Sequence, residues 1–352
     1  MIEQLQDLQK NTGANFITVQ DFNIPISFGN DAAAFQAAQS QVALCDRSHW
    51  GRIEVGDCDR IRFLHNQSTN DFQRLKPGEG CDTVFVTSTA RTLDLATAYV
   101  TEDTVILLVS PNRRQFIIDW LDRYIFFADQ VQLKDTTRQT ATFSLIGPES
   151  DRLIQQLGAD PIINQPYATH TVIPTLNDVR VAVGSGLATP GYTLIVPADR
   201  AAAVWSHLIQ MGVVPMGDRV WEQLRVYQGR PVPDRELTED YNPLEAGLWQ
   251  TISFDKGCYI GQETIARLNT YKGVKQYLWG IRLNAPAEPE SIITLEQEKI
   301  GKLTSCIATE QGYFGLGYVR TKAGGAGLKV KVGNSDAEVV HVPFLTHEYY
   351  EG

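Results

Sequence analysis

Hydrophobic and polar positions follow two periods along this chain, and the period changes near Gly273. Before that point, stretches with apolar residues three or four apart alternate with short stretches of period two, which are typical of helices and strands respectively. The clearest predicted helices are residues 31–44, 58–67, 111–127 and 198–210, and the clearest predicted strands are residues 51–57, 83–87 and 104–110. Asn30 or Asp31 is expected to cap the first of these helices. The alternation predicts a mixed α+β region.

After Gly273 the segments become short, alternating and separated by Gly, Pro or Asn: KQYLWGIRL, KIGKLTSCIAT, YFGLGYVR, LKVKV and AEVVHVPF. Such segments predict a small antiparallel barrel or sandwich. A chain of 352 residues exceeds what one core usually organises. We therefore predict an α+β region at 1–274, with two subdomains, and a β-barrel domain at 275–352.

Composition restricts the class of function. Hydrophobic residues make up 43% and charged residues 20% of the chain, as in folded globular proteins. The net charge of −10 disfavours broad electrostatic binding of nucleic acid, so no direct nucleic-acid binding is expected. No stretch is apolar enough for a membrane span or a signal peptide, and five scattered cysteines argue against a disulfide scaffold. These features predict a cytoplasmic or stromal-type location without a membrane partner.

Common catalytic fingerprints, such as a P-loop or a GxSxG elbow, are absent from the sequence, and KGCYIGQETIARL at 256–268 is its most unusual segment. Gly257 and Gly261 flank Cys258 ahead of a helix predicted from Gln262 to Leu268, so the thiol is expected on a turn that leads into a helix amino terminus. The helix dipole and Lys256 would then favour the thiolate. The alternative is an inert, buried cysteine.

Two further features of the carboxyl half suggest a binding site. Glu245 lies among apolar residues in YNPLEAGLW and, if buried, requires an Arg or a ligand donor, although a solvated glutamate at a helix start is the alternative. Four cations, which are Lys256, Arg267, Lys272 and Lys275, could attract an anionic small molecule or could form an ordinary solvated face.

The motif KGCYIGQE closely resembles the signature of the YgfZ group, whose members are relatives of the glycine-cleavage T-protein. Other segments are similar to T-protein segments in the same order: RSHWGRIEVGDCDRIRFLHNQSTNDFQRLKPGEG, SLIGPES, GYTLIVPADRAAAVWSHLIQMGVVPMG, LRVYQGRP and NPLEAGL. The resemblance covers nearly the whole chain. It implies an aminomethyltransferase-like folate-binding fold with a carboxy-terminal antiparallel β-barrel, and tetrahydrofolate in a central channel.

The resemblance also implies roles for individual residues. Glu245 falls on the family glutamate that recognises the pterin, whose edge offers two adjacent N–H donors to one carboxylate. Asn70 falls on the TND element near the pocket, with a turn residue as the alternative. Arg267 and Lys256 are expected to bind the folate tail, and Arg267 could equally be structural.

Two departures from the T-protein pattern make classical aminomethyl transfer doubtful. The segment TLDLATAY keeps Asp94 but has Leu95 where the T-protein has a second acid, and GLATPGYTLIV lacks the longer GYTGE-type stretch. If the missing acid is the catalytic one, charge at the folate nitrogens loses its stabilising group. Asp94 could act from a shifted position, or it could be a solvated residue at a strand edge.

The resemblance therefore favours a tetrahydrofolate-binding accessory protein for iron–sulfur cluster assembly or repair in client enzymes, including those of tRNA modification. Cys258 would act by thiolate attack, a mixed disulfide or brief iron ligation. The cysteine spacings do not suit a permanent [4Fe–4S] cluster, and no resident metal is expected. The alternatives are a folate-dependent one-carbon transferase, either an aminomethyltransferase or a demethylase, and a scaffold that has lost its ligand.

Overall fold

The computed structural model describes residues 2–176, 178–309 and 312–351. Its helices are α1 (Ile2–Asn11), α2 (Asp31–Ser40), α3 (Arg60–Gln67), α4 (Arg114–Asp122), α5 (Ser150–Gln156), α6 (Ala201–Gln210), α7 (Asp218–Gln228) and α8 (Gln262–Thr270). Its strands are β1 (Asn15–Val19), β2 (Phe22–Ser27), β3 (Ala43–Asp46), β4 (Gly51–Gly56), β5 (Gly80–Val86), β6 (Thr92–Val100), β7 (Thr104–Val109), β8 (Gln132–Asp135), β9 (Thr140–Ile146), β10 (His170–Ile173), β11 (Val179–Val183), β12 (Gly191–Pro197), β13 (Val214–Met216), β14 (Gln276–Leu283), β15 (Ile292–Leu295), β16 (Glu298–Thr309), β17 (Gly312–Arg320), β18 (Lys329–Val332) and β19 (Ser335–Val340).

The chain forms two compact units that interleave in sequence. Unit 1 comprises Met1–Arg60, Arg74–Cys81 and Thr97–Leu224, and unit 2 comprises Ile61–Gln73, Asp82–Ala96 and Arg225–Gly352. The chain passes from one unit to the other within β5 and again within β6. The division at 274/275 stays a prediction.

Unit 1 is built around a six-stranded sheet of order β10-β11-β12-β9-β3-β13. Its neighbours are antiparallel except β13, which runs parallel to β3. Phe143 and Leu145 of β9 and Leu194 of β12 are fully buried against Trp205 of α6 in the main apolar cluster of this unit. Apolar residues on one face of α6, at helical spacing, therefore give the helix its place on the sheet.

Unit 2 contains a closed barrel of six antiparallel strands in the order β14-β17-β16-β15-β18-β19, with β19 pairing back to β14. Its core is aliphatic and includes Ile281, Leu303 and Val339. Strands pass close together at Gly301, where a Cβ would lie 2.1 Å from the carbonyl oxygen of Tyr318. The closed antiparallel barrel confirms the fold class predicted for the carboxyl end.

A buried polar network links the barrel to the segment after α7. Arg225 and Glu236 form an ion pair of 2.9 Å, and both side chains are completely buried. Thr304 and Ser305 of β16 donate hydrogen bonds to Glu236 Oε1 at 2.8 and 2.6 Å. Because each charged group has several partners, the network avoids the desolvation penalty of an isolated buried charge.

Several element boundaries differ from the prediction. The helix predicted at 31–44 ends at Ser40, and Ala43–Asp46 is the fully buried strand β3. Asn30 occupies the amino-terminal cap position of α2, but its side chain donates to the carbonyl of Pro215 instead of capping. The helix predicted at 111–127 is a 3-10 turn followed by Arg114–Asp122. Within the described ranges, none of the helices is both long and apolar enough to cross a bilayer.

Candidate functional site

The TND element and the cysteine motif, which are far apart in sequence, lie side by side in unit 2. The hydroxyl of Thr69 donates to the carbonyl of Thr251 at 2.8 Å, and the amide of Ser253 donates to the carbonyl of Thr69 at 3.0 Å. At the other end, the amide of Ile260 donates to the carbonyl of Asn66 at 3.0 Å. These bonds hold residues 251–260 along the carboxyl end of α3.

Lys256 anchors the motif to that helix end. Its buried ammonium donates to the carbonyl oxygens of His65, of Ser68 at 2.8 Å and of Asn70 at 2.6 Å, and lies 4.7 Å from the ring centroid of Tyr259. A cation is favoured where helix carbonyls lack intrahelical partners. The ammonium has three N–H donors and these contacts use all three, so this arrangement does not favour the predicted role of Lys256 at a folate tail or beside the thiol.

Cys258 is solvent-exposed, so it is not the core residue of the alternative interpretation, and its reactivity stays a prediction. It lies three residues before Gly261, which occupies the cap position of α8, and the helix begins at Gln262 as predicted. Gly261 has φ +83°, and a Cβ there would lie 2.9 Å from Val86 Cγ2 and 3.0 Å from Thr87 O. The glycine therefore allows the close turn that leads from the cysteine into the helix.

The thiol lines a shallow depression of about 480 Å³ in the surface of unit 2. Its walls are formed by His65, Asn66, Gln73, Gly257, Cys258, Tyr259 and Ile260. His65 comes from the last turn of α3 and is 3% exposed. Sequence reasoning missed this histidine, since no motif spacing connects it to a cysteine 193 positions later.

Glu245 is 6% exposed, so it is not the solvated glutamate of the alternative interpretation. The amide of Asn242 donates to Glu245 Oε2 at 3.2 Å, while Asn242 Oδ1 accepts from the amides of Leu244 and Glu245, each at 3.0 Å. This reciprocal arrangement is a capping box, formed here on a turn. The backbone carbonyl of Glu245 also accepts from Leu278 of β14.

The charge on Glu245 is only partly balanced. Burial raises the pKa of its carboxyl group. Four weaker influences lower this pKa: the amide of Asn242, the charge of Arg91, a hydrogen bond from Gln276 and the charge of Lys275. Among the residues that the structure describes, none forms an ion pair with this carboxylate, and the charges of Arg91 and Lys275 act on it from a distance. The Arg partner considered in the sequence is therefore not in contact, and the buried carboxylate retains acceptor capacity.

The other predicted binding residues have local or exposed positions. Asn70 donates to the carbonyl of Asp82 at 2.7 Å and accepts from the amide of Asp71 at 2.8 Å, which is the behaviour of the turn residue considered as an alternative. Arg267 is exposed on α8. Lys272, which lies 3.6 Å from Glu351, and Lys275 are exposed as well, whereas Lys256 is buried, so three of the four predicted cations face solvent.

Asp94 lies in the middle of β6 and is fully buried, so the alternative of a solvated strand-edge aspartate is wrong. Its neighbour Leu95 is 1% exposed and packs in an apolar cluster with Val84, Val86 and Leu248. Consecutive strand residues point to opposite faces. Position 95, where the resemblance implies a second acid in the T-protein, is therefore occupied by an apolar core residue, and an acid could not be placed there without a desolvation penalty.

The predicted site residues thus fall into two groups within unit 2. Cys258 lines the depression, and the loop that carries it is anchored by the hydrogen bond from Lys256 to the carbonyl of Asn70. Glu245 does not line that depression. One apolar cluster packs beside both, since it contains Leu244 and Tyr259. Throughout residues 2–176, 178–309 and 312–351, no three His, Cys, Asp or Glu side chains are grouped to hold a metal ion.

Comparison with known structures defines the class of fold. The chain is similar to the crystal structure of glycine cleavage system aminomethyltransferase T from Bartonella henselae, with a TM-score of 0.85, 20% identity and 99% coverage of both chains. At this identity the likeness shows the fold alone, which is that of the aminomethyltransferases.

The sequence profile of the GCVT N-terminal domain matches residues 5–256, and the chain belongs to this family. It is 46% identical over 335 residues to a chloroplastic protein of Arabidopsis thaliana that bears the name putative transferase, covering 94% of this chain and 78% of that protein. It is 26% identical over 310 residues to the aminomethyltransferase of Halalkalibacterium halodurans, covering 86% and 84% of the two chains.

Proposed function

We propose that this protein is a YgfZ-type, tetrahydrofolate-binding accessory protein that supports iron–sulfur cluster assembly or repair in client enzymes. Its working groups are the carboxylate of Glu245, which would hold the pterin, and the thiol of Cys258. The clients would include enzymes of tRNA modification, and the location would be cytoplasmic or, as the name of the Arabidopsis relative indicates for that protein, within a chloroplast.

The buried carboxylate of Glu245 is the observation that carries the folate proposal. A desolvated carboxylate without a cation in contact is unfavourable, and donors from a ligand would relieve this cost. The capping box holds the side chain in one orientation through one oxygen, which leaves further lone pairs to accept the two adjacent N–H groups of a pterin edge. The chemistry of the group therefore fits the proposed ligand.

Asn70, Arg267 and Lys256 are secondary in this proposal. Asn70 would act by shaping the TND loop, and exposed Arg267 remains available for the carboxylates of a folate tail. Lys256 would support the loop that carries Cys258, and its engaged ammonium makes a direct tail contact the weakest of these expectations.

Titration with tetrahydrofolate tests the ligand. In the variant Glu245→Gln, the amide oxygen can still accept the Asn242 amide, so the capping box is retained while the charge is removed. We expect wild type to bind and Glu245→Gln to bind about 10- to 100-fold more weakly, since a charge-assisted pair contributes roughly 1.5–3 kcal/mol. Calorimetry is the direct measurement, and thermal stabilisation at ligand excess is an independent one.

Glu263→Gln is the matched control, because Glu263 is an exposed carboxylate on α8 in the same unit. It is expected to bind tetrahydrofolate like wild type. Equal affinity of wild type and Glu245→Gln for tetrahydrofolate, or no binding by either, would contradict the proposal that Glu245 recognises folate.

The accessory role of the thiol is tested in cells. We expect Cys258→Ser to fold and to bind tetrahydrofolate normally, but to lower the activity of client iron–sulfur enzymes. The matched control is Cys58→Ser, which removes another exposed thiol. Client activity that is the same in both variants would exclude Cys258 from the mechanism.

A folate-dependent one-carbon transferase, acting as an aminomethyltransferase or a demethylase, is the second candidate function. It is favoured by the family and by the buried position of Asp94, and disfavoured by Leu95 at the place of the second acid. If purified protein converts tetrahydrofolate to its methylene form with an aminomethyl or N-methyl donor, and Asp94→Asn abolishes this conversion, the transferase replaces the accessory role.

A further inference from the structure

His65 is a buried titratable group that faces the depression around Cys258. The residue is 3% exposed yet forms part of the wall, and a Cβ placed on Gly257, the residue before the cysteine, would lie 3.6 Å from Nε2. Among the described residues, Nε2 makes no hydrogen bond to protein. A polar ring atom without a protein partner therefore lies in the wall of the same depression as the exposed thiol.

A carboxylate lies next to the opposite ring nitrogen. Nδ1 of His65 lies 3.1 Å from Asp71 Oδ1 without forming a hydrogen bond, and both side chains are largely buried. Asp71 is itself fixed by the amide of Gln73, which donates to Oδ1 at 3.0 Å. A carboxylate at Nδ1 favours the tautomer that carries its proton there, and Nε2 then has a free lone pair.

The charge state of the ring agrees with this arrangement. Burial and the charge of Lys256 lower the pKa of His65, and the nearby charge of Asp71 opposes this shift. The imidazole is therefore neutral near pH 7 and can accept a proton. Lys256 contributes to this state while it anchors the cysteine loop to the carbonyl of the same histidine.

We propose that His65 accepts the proton of the Cys258 thiol, that Asp71 orients the imidazole, and that the depression is a thiol–disulfide exchange site for a small disulfide. The three side chains have the roles of nucleophile, base and orienting group. This inference rests on the proposed function of Cys258 and selects the mixed disulfide among the mechanisms left open by the sequence. A depression of about 480 Å³ has the size of a small-molecule site.

The exchange step is balanced without a further reactant. The Cys258 proton moves to His65 Nε2, and the thiolate attacks one sulfur of R–S–S–R. A bond forms between Cys258 Sγ and that sulfur while the original S–S bond breaks, and the departing thiolate takes the proton from the imidazolium of His65. The products are one mixed disulfide and one free thiol, and a second thiol would release Cys258 by the reverse reaction.

Reaction with 5,5′-dithiobis(2-nitrobenzoate), a small symmetrical disulfide, measures this step through the absorbance of the released thiolate. This leaving group is acidic and stays unprotonated at pH 7, so in this assay the proton of the His65 imidazolium passes to water instead. The full-length chain would carry Cys58→Ser, so that Cys258 is its single exposed cysteine among the described residues, since Cys45 is buried and Cys81 and Cys306 are half-buried. The fast phase of release is assigned to Cys258 by its loss in Cys258→Ser.

In this background we expect His65→Gln to slow the fast phase at least about tenfold at pH 7, and to move its pH inflection upward, because general-base assistance is lost. Asp71→Asn should give a smaller slowing. His207→Gln, which changes an exposed histidine on α6, should leave the rate unchanged. Circular dichroism and the melting temperature establish that each variant is folded.

If His65→Gln fails to fold, Gly257→Ala provides the second variant, because it keeps all three side chains and adds a methyl group beside Nε2. It should slow the fast phase several-fold. A fast phase that is the same in the background, in His65→Gln and in Gly257→Ala would overturn the assignment of His65. The tetrahydrofolate titration and the client assay of Cys258→Ser are independent of this rate, so failure of the exchange site and failure of the proposed function are distinguishable.

Discussion

The two glycines that flank Cys258 have different surroundings although they look equivalent in the sequence. Gly261 has φ +83° and would bring a Cβ to 2.9 Å from Val86 and 3.0 Å from the carbonyl of Thr87, whereas a Cβ at Gly257 meets only His65 at an ordinary 3.6 Å. The requirement for glycine at position 261 is therefore steric. At position 257 a side chain would fit, but it would lie next to the imidazole of His65 and limit access to it.

We predict that Gly261→Ala lowers the free energy of unfolding by about 2–4 kcal/mol, through backbone strain and overpacking. Gly257→Ala should change it by less than about 1 kcal/mol. Urea unfolding followed by circular dichroism measures both. Equal effects of the two substitutions would contradict the surroundings described for them.

Lys256 provides the second prediction at this scale. Replacement by Met keeps most of the apolar stem but leaves the carbonyls of His65, Ser68 and Asn70 without their shared donor. We expect Lys256→Met to lower the free energy of unfolding by roughly 2–4 kcal/mol, because buried acceptors are left unsatisfied. Lys272→Met is the exposed control and should cost less than about 0.5 kcal/mol. A small effect at both positions would mean that Lys256 does not anchor the loop.

At the scale of elements, the buried ion pair between Arg225 and Glu236 connects the segment after α7 to β16 of the barrel. Removing one partner leaves the other charge buried and uncompensated. We predict that Glu236→Gln lowers the free energy of unfolding by about 3–5 kcal/mol. The exposed barrel pair of Lys331 and Asp336, 3.0 Å apart, supplies the control Asp336→Asn, which should cost less than about 1 kcal/mol.

Chemical denaturation of both variants gives these values. A cost for Glu236→Gln as small as that of the exposed pair would mean that the network is dispensable. The result also bears on the barrel itself, since Thr304 and Ser305 both donate to Glu236 and would lose a charged acceptor.

Helices and strands were predicted correctly in segments where a single hydrophobic period, that of a helix or that of a strand, dominated. Strand β4 and helices α3 and α6 lie where the pattern put them, and the alternating tail forms the closed barrel. The helix predicted at 31–44 was too long because Ala43 and Leu44 are apolar in either element, and their pairing with β9 makes them a strand. Local propensity cannot contain this information, since strand partners more than a hundred residues away decide it.

At the scale of the whole molecule, pH acts on histidines that are buried in a neutral state. Burial and the charge of Arg180 lower the pKa of His170 to about 4, and burial with Arg47 and Arg52 lowers that of His49 to about 3. In the unfolded chain these groups titrate near 6.5. As pH falls below 6.5 the unfolded chain binds protons that the folded chain does not, so stability decreases.

Each such histidine should remove about 2 kcal/mol of stability between pH 7.5 and pH 5. Asp46 and Glu245 oppose part of this loss, since burial raises the pKa of each carboxyl and the folded state then gains protons as pH falls. His347, whose pKa burial also lowers to about 4, adds a third such loss. We predict a net decrease of about 3–6 kcal/mol in the free energy of unfolding, measured with urea at the two pH values. In His170→Gln the decrease should be smaller by about 2 kcal/mol, and a pH-independent stability of wild type would refute this account.

The sequence by itself determined the class of fold, the antiparallel barrel and the candidate residues Glu245 and Cys258. These follow from hydrophobic periodicity and from a motif in contiguous residues, both of which are local properties. The sequence left open whether Glu245 and Asp94 are solvated or buried, and whether Cys258 lies in the core.

Only the tertiary structure decided these points, because burial and the neighbours of a side chain depend on segments that are distant in sequence. In the folded chain Glu245 and Asp94 are buried and Cys258 is exposed. The ammonium of Lys256 donates to carbonyls of residues nearly two hundred positions earlier in the sequence. It also brought His65 beside the cysteine loop, where no spacing in the sequence predicts it. The desolvation of a charge and the access to a thiol are set by this packing and cannot be read from local pattern.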